Sequence, residues 1–133
     1  MSDYDVVVVG AGIAGLAAAL GAHDAGARRI LIAESEGVVG GSSRLSGGMI
    51  MGAGTGMQRA AGIVDTADDL FHDYLSLNQW RVDSGVVRAF CDGCGPTIDW
   101  LVELGVPFRD RLVIGGEERL PRTHWVVGGG QGL

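Results

Sequence analysis

The apolar positions of this chain change rhythm several times, and each rhythm predicts an element. Val6-Val7-Val8-Val9 is unbroken and apolar, as short strands buried on both faces are, and predicts a strand over residues 5–9. After a glycine-rich break, small apolar residues run from Ile13 to Ala25, which reads as a helix closed by Gly26. A second apolar run predicts a strand over residues 29–33, parallel to the first through a right-handed crossover. Residues 38–56 carry Gly, Ser and Met with no period and read as one long loop; loops of that length inside a domain are usually functional. Thr66 has the character of an N-cap for a helix reaching about Leu77, with Asp68 and Asp69 at the positive end of its dipole. Residues 84–104 are helical in pattern, with Val87, Phe90, Ile98, Leu101 and Leu104 as the buried set. Gly93, Gly95 and Pro96 interrupt that stretch and predict a kink or two short helices. Residues 106–122 read as irregular, with a short hairpin around Gly115-Gly116.

The break between the first strand and the first helix is Gly10-Ala11-Gly12-Ile13-Ala14-Gly15, a G-x-G-x-x-G in the strand–turn–helix setting that gives this motif meaning. Gly10 lets the chain leave the strand in a tight turn, Gly12 offers no Cβ to an approaching pyrophosphate, and Gly15 permits close packing of helix on strand. The amides at the helix start then face the phosphates, helped by the helix dipole. Glu34 ends the second strand, where a carboxylate accepts hydrogen bonds from ribose hydroxyls. The reading is a dinucleotide-binding βαβ unit of an α/β fold. Only two strands of the parallel sheet are legible, and a doubly wound sheet needs more to cover its faces.

Composition narrows the class. Glycine supplies 24 of 133 residues, clustered near 10–15, 37–56 and 128–132, which points to several close backbone–ligand approaches and not to a short repeat. The net charge of −6 argues against nucleic acid and against an anionic membrane surface as partners. The N-terminal Met1-Ser2-Asp3-Tyr4-Asp5 is acidic where a secretory signal needs a basic start, and the two cysteines make no disulfide framework. The expectation is a cytoplasmic protein with no membrane association.

What separates a flavin site from a nicotinamide site is the stretch Gly40-Gly41-Ser42-Ser43-Arg44-Leu45-Ser46-Gly47-Gly48-Met49 after Glu34. Here the chain resembles the FAD-dependent oxidoreductases that include the fumarate reductase and succinate dehydrogenase flavoproteins and the 3-ketosteroid dehydrogenases. The resemblance continues through Gly54-Thr55 and Gln58, Gly62-Ile63-Val64-Asp65, Asp99-Trp100-Leu101 with Gly105-Val106, and Arg122-Thr123-His124 before Gly128-Gly129-Gly130. It implies a Rossmann-like FAD-binding domain, incomplete, with residues 1–133 its N-terminal portion and the substrate-capping domain absent. It places Gly10, Gly12, Ala14 and Gly15 on the pyrophosphate, Glu34 on the adenosine ribose, and Ser42, Ser43, Gly47 and Gly48 along the flavin side of the cofactor, with Gly40 and Gly41 also cofactor-binding. The spacing of the two Gly-Gly pairs is like that of the ketosteroid dehydrogenases. Thr55 with Gln58 and Arg122 with His124 are more like the fumarate reductases. Ala27-Arg28-Arg29 makes a surface turn one residue longer than the commonest family form.

The function implied is reduction or dehydrogenation of a C–C bond in a small organic substrate. In that family the proton-handling arginine or tyrosine lies beyond the stretch matched here, so no catalytic residue is assigned and no metal is expected. The rest of the same protein is the expected partner; the alternative is a non-catalytic FAD-binding remnant, or a subunit completed by a second chain. Cys91-Asp92-Gly93-Cys94 reads as two small helix residues, since no further metal ligands stand near at suitable spacing. His124 reads either as a group approaching substrate or flavin or as a satisfied loop histidine. His23 suits the negative end of the first helix, and His72 reads as surface. Met49, Met51 and Met57 read as packing for a flavin ring or as flexible core filling. Trp80, Trp100 and Trp125 are expected in the core or at a domain contact, and Asp68, Asp69 and Asp73 on a solvated face.

Overall fold

The computed structural model describes residues 3–133; Met1 and Ser2 of the acidic N-terminal stretch lie outside them. The chain divides into two compact units. The first holds residues 3–48 with 128–131 and 133, and the second holds 49–127 with 132.

In the first unit, strand β1 (Val6–Val9) leads into helix α1 (Ile13–Asp24) and then strand β2 (Ile30–Ala33). The strands pair in parallel, Val6 opposite Ile30 through Val9 opposite Ala33. That is the βαβ crossover expected from the sequence. Gly26, at φ +100°, turns the chain out of α1, and the Ala27 amide reaches back to the Ala22 carbonyl, 2.9 Å. The following turn is tied down by Asp5, whose carboxylate accepts from the Arg28 and Arg29 amides and pairs with the Arg29 guanidinium. Val6 and Val8 are half-buried, with Val8 against Gly15 of α1, whereas Val7 and Val9 on the other face are 54% and 87% exposed. Among the described residues this parallel sheet has two strands, and α1, apolar nearly all round, leaves Ile13 and Leu20 exposed as well. Apolar strands and helices of this kind are ordinarily covered on both sides.

The second unit departs further from expectation. The stretch read as a structureless loop holds a 3-10 turn over Gly41–Leu45, which belongs to the first unit, and strand β3 (Met49–Met51), and it leads into the short helix α2 (Gly56–Ala60). β3 pairs antiparallel with strand β4 (Thr123–Trp125), Met49 opposite Trp125 and Met51 opposite Thr123. Helix α3 (Ala67–Leu77) packs on helix α4 (Ser84–Glu103). The core between them gathers Ala53, Leu70, Leu75, Val87, Cys91 and Cys94.

The kink expected in α4 is absent: one helix runs through Pro96. Val87, Cys91, Cys94 and Ile98 form a single buried stripe on both sides of the proline, and the packing of that stripe outweighs the one lost amide donor. Gly95 is there for contact, since a Cβ would overlap the Ala53 carbonyl oxygen. The buried set is corrected accordingly. Phe90 and Leu104 are 40% and 47% exposed, and the two cysteines take the buried positions instead. No tight hairpin forms at Gly115-Gly116; the loop is closed further out by a bridge between Val113 and Thr123. Trp80 is 65% exposed, not a core residue. Asp83 caps α4 through the Gly85 and Val86 amides. Thr66 caps α3 as expected, its Oγ1 accepting from the Asp69 amide at 3.0 Å. Thr66→Ala is expected to cost about 1 kcal/mol, read as a shift of the urea midpoint at unchanged slope.

Candidate functional site

The candidate cofactor cradle lies in the first unit. The chain leaves β1 through Gly10 at φ +94°, a conformation that only glycine adopts without strain. Gly12 then stands at the N-cap of α1 with no capping side chain, and the first turn holds no acidic residue. Three helix-start amides are thereby left facing the same way, the arrangement that binds anions. A Cβ on Gly12 would meet nothing within 4 Å, so open space lies where a ligand would approach. A Cβ on Gly15, by contrast, would overlap the Gly10 carbonyl oxygen. Gly10 and Gly15 thus serve the turn and the packing read from the sequence, and Gly12 borders open space.

The second glycine segment returns to the first. Gly12 and Gly40 form a parallel bridge, and the Gly40 amide donates to the Ala11 carbonyl at 2.7 Å. Gly40 is itself at φ +104°. Glu34 joins this meeting point, its Oε2 accepting from the Ala11 amide at 2.7 Å. Its Oε1 accepts from the Ser35 and Glu36 amides at 2.7 and 2.9 Å. The amides of Glu36 and Ala11 hold the Glu34 carboxyl below its ordinary range, against a smaller upward push from burial. Oε2 retains acceptor capacity beyond the Ala11 amide.

Ala14 is exposed on the first turn of α1. Ser42 and Ser43 sit in the 3-10 turn, Ser42 exposed and Ser43 half-buried. Gly47 is exposed and Gly48 buried, and a Cβ on Gly48 would crowd the Gly129 backbone. Gly129 and Gly130 were not among the residues assigned to the site, yet they close on this segment: the Gly130 amide donates to Ser46 O at 3.0 Å, and a Cβ on Gly130 would overlap Ser43 O. Their glycine clustering was the available signal. A bare helix N-terminus flanked by two abutting glycine turns, with a carboxylate beside it, fits the pyrophosphate and ribose of a dinucleotide.

In the second unit the residues that carried the fumarate reductase-like features converge on one buried polar network. Arg122 is wholly buried. Its Nε and Nη2 donate to the two oxygens of Asp65 and its Nη1 to Asp73, each at 2.7 Å. Gln58 Nε2 donates to Asp65 at 2.9 Å and to the Pro121 carbonyl at 3.0 Å, and its Oε1 accepts from the Thr55 amide. Thr55 and Gln58 form a reciprocal capping box at the start of α2. Burial pushes Asp65 up, but the Arg122 and Gln58 hydrogen bonds and the Arg122 charge outweigh it and hold the carboxyl low. Asp73, expected on a solvated face, is instead half-buried between Arg122 and Arg119 and is held low in the same way. Only Asp68 and Asp69 remain on the exposed side.

His124 is fully buried, and its ring nitrogens are both engaged. Nδ1 lies 2.9 Å from the Arg122 carbonyl, which can only accept, so Nδ1 carries the proton. Nε2 therefore accepts from Thr55 Oγ1 at 2.8 Å. This is a satisfied core histidine, and the reading of His124 as a group reaching a substrate or flavin is corrected. Burial holds it below its ordinary value, against the upward pull of its backbone hydrogen bonds. The sign follows: below about pH 6.5 the unfolded chain binds a proton that folded His124 refuses, so stability falls as the pH falls. The thermal midpoint is expected to drop between pH 7.5 and 5.5, and His124→Gln is expected to flatten that slope.

The remaining candidates have plain positions. Cys91 and Cys94 are buried free thiols in α4, Cys94 Sγ donating to the Cys91 carbonyl, and burial pushes the Cys91 thiol up. Met51 packs on the core, and Met49 is 59% exposed. Arg109 stacks on the Trp125 ring at 4.0 Å. His23 and His72 are exposed. Among the described residues no helix is long and apolar enough to cross a membrane.

Comparison with known proteins agrees with the geometry. The fumarate reductase (cytochrome) of Shewanella frigidimarina is 37% identical over 125 residues, 94% of this chain and 22% of that protein. Of solved structures, the open conformation of a flavocytochrome c3 fumarate reductase matches 97% of this chain and 23% of its own, with TM-score 0.82 and 32% identity. The 3-ketosteroid-Δ4-(5α)-dehydrogenase of Rhodococcus jostii RHA1 matches 83% of this chain and 23% of its own, with TM-score 0.68 and 36% identity. Both branches of the resemblance are therefore represented, and the chain spans under a quarter of the length of these relatives. The family model described as FAD binding domain matches residues 5–130, and the chain belongs to that family of FAD-binding flavoproteins.

Proposed function

We propose that this chain is the N-terminal FAD-binding portion of a longer flavin-dependent oxidoreductase. That enzyme reduces or dehydrogenates a C–C bond of a small organic substrate, in the manner of fumarate reductases or ketosteroid dehydrogenases. The observation that carries the reading is the junction of Gly12 with Gly40, which makes one backbone surface of two glycine-rich segments. Gly10, Gly12, Ala14 and Gly15 hold the pyrophosphate, which faces the amides at the start of α1 and its dipole. Glu34 orients the adenosine ribose through its spare Oε2 lone pair. Ser42, Ser43, Gly47 and Gly48 line the flavin side, with Gly40 and Gly41 also on the cofactor; the glycines admit a flat ring and the serine hydroxyls donate to it. FAD, when bound, supplies the hydride chemistry, and this segment binds and orients it. The residues that handle the proton lie elsewhere in the longer protein, as does the substrate-capping domain.

The exposed apolar faces of β1, β2 and α1 favour completion of the sheet by further strands of the same protein. The acidic charge favours no nucleic-acid partner, and a small-molecule substrate and a cytoplasmic location belong to the same proposal. The test is to isolate the full-length gene product and release its flavin. FAD at one equivalent, with reduction of fumarate or oxidation of a 3-ketosteroid, is the expected result. A full-length product without flavin, or one that binds NAD in its place, overturns the reading.

A further inference from the structure

Apart from the cofactor cradle, the second unit contains a cavity of about 350 Å3 whose wall is mostly apolar, built from Met51, Leu70, Tyr74 and Leu77. Its polar side is acidic: Asp73, Glu117 and Glu118 line it together with the buried Arg122. The charges there do not balance. Arg122 is already neutralised by Asp65 and Asp73, and Arg119 is paired with Asp73, so no cation of the cavity answers Glu118.

Glu118 is the telling residue. It is 8% exposed, an unusual place for a glutamate with no ion-pair partner. Its Oε2 accepts from the Gly116 amide at 2.5 Å, but its Oε1 is buried and has no hydrogen-bond partner among the described residues. A buried carboxyl oxygen left unpaired is costly, and such groups in native proteins ordinarily have a donor. Gly115 and Gly116 precede it, so the loop presents little side chain to block an approach. Glu118 lines the cavity, and its terminal carboxyl torsion is soft.

We propose that this cavity binds a primary ammonium or guanidinium group carried on a short apolar stem. The head supplies the donor that Glu118 Oε1 lacks, and the stem lies along Met51, Leu70 and Leu77. The Tyr74 ring adds attraction for a cation. The cation is either a free amine or a lysine or arginine side chain from the rest of the protein, and the chemistry of the site is the same for both. The cavity shares no residue with the FAD cradle, so the proposal stands apart from the flavin reading.

The test uses the full-length, flavin-loaded protein with 13C-methyl methionine, the Met51 signal being identified with Met51→Leu. n-Butylammonium chloride is titrated at low ionic strength, with n-butanol as the neutral control. A saturable Met51 shift that n-butanol does not reproduce, weakened at least tenfold by Glu118→Gln, supports a free-amine site. If a basic side chain already fills the cavity, n-butylammonium leaves Met51 unmoved and Glu118→Gln lowers the thermal midpoint by several degrees, because an ion pair is lost. The proposal is overturned if n-butanol shifts Met51 as n-butylammonium does, if Met51 responds but Glu118→Gln leaves the titration unchanged, or if Met51 is unresponsive while Glu118→Gln leaves the midpoint unchanged or raises it. Where Met51 responds, the wild-type comparison of the two probes decides the matter even if the variant folds poorly.

Discussion

Arg122→Met is expected to destabilise the protein by about 3–5 kcal/mol, a large part of the total stability of an ordinary domain. Methionine fills much of the arginine volume, so the loss is electrostatic and not a cavity effect. Without the guanidinium, Asp65 keeps only the Gln58 side chain and the Thr66 amide, and it lies in a wholly buried position. Asp73 keeps only Arg119. Breaking a buried pair from one side leaves an uncompensated charge, which is why the cost exceeds that of deleting the pair as a whole. The triple variant Asp65→Asn, Asp73→Asn, Arg122→Met is therefore expected to recover part of the loss. Urea unfolding followed by circular dichroism on the full-length protein measures both.

The pH dependence of that difference is a second check on the same cause. Both carboxyls are held below their ordinary values in the folded protein. Their contribution is thus fully present above about pH 3.8 and is lost as the pH falls through the folded values. The gap between Arg122→Met and the parent is expected to be widest above pH 4 and to narrow below it. A gap of equal size at pH 3 and pH 7 would mean that packing, not charge, is what Arg122 contributes.

The second large effect is expected in the cradle, where two glycines separate fold from ligand. At Gly12 a methyl group would enter open space, and the backbone there is at φ −71°, which alanine adopts freely. Gly12→Ala is expected to leave the flavin-free protein's unfolding unchanged while weakening FAD binding at least tenfold, because in the proposed binding mode the pyrophosphate takes that space. At Gly15 the methyl group overlaps the Gly10 carbonyl oxygen, so helix and strand must move apart. Gly15→Val is expected to lose flavin and stability together. Flavin content by absorbance and unfolding of the stripped protein distinguish the two variants. A Gly12→Ala protein with undiminished FAD affinity would remove Gly12 from the cofactor site.

The βαβ unit was legible because its signals are local. A run of four valines, a glycine turn and a small-residue helix each favour one conformation without help from distant residues, and the crossover hand follows from chain chirality. Thr66 as a cap and Gly26 as a helix stop were legible for the same reason. The approach of Gly40 to Gly12 was legible only as a resemblance, since nothing in the residues between them encodes the return.

The β3–β4 pair was not legible at all. Each strand has three residues, too few for an alternation to show, and Thr123 and His124 are polar yet buried, opposite to the usual signal. Their burial is stabilised by partners far away in the chain: Thr55 is 69 residues from His124, and Asp65 is 57 from Arg122. The continuous course of α4 through Pro96 is similar, because local propensity says break and the stripe packed against α3 says continue. From the sequence alone came the α/β class, the glycine motif, Glu34 and the identity of the cofactor. Tertiary structure alone decided which polar residues are core, that His124 and Asp73 are structural partners of Arg122 and Thr55, and that Glu118 is buried with its Oε1 lacking a donor among the described residues. The reason is that hydrogen bonds and ion pairs formed across tens of residues stabilise a polar side chain only once the chain has folded, and no local pattern announces them.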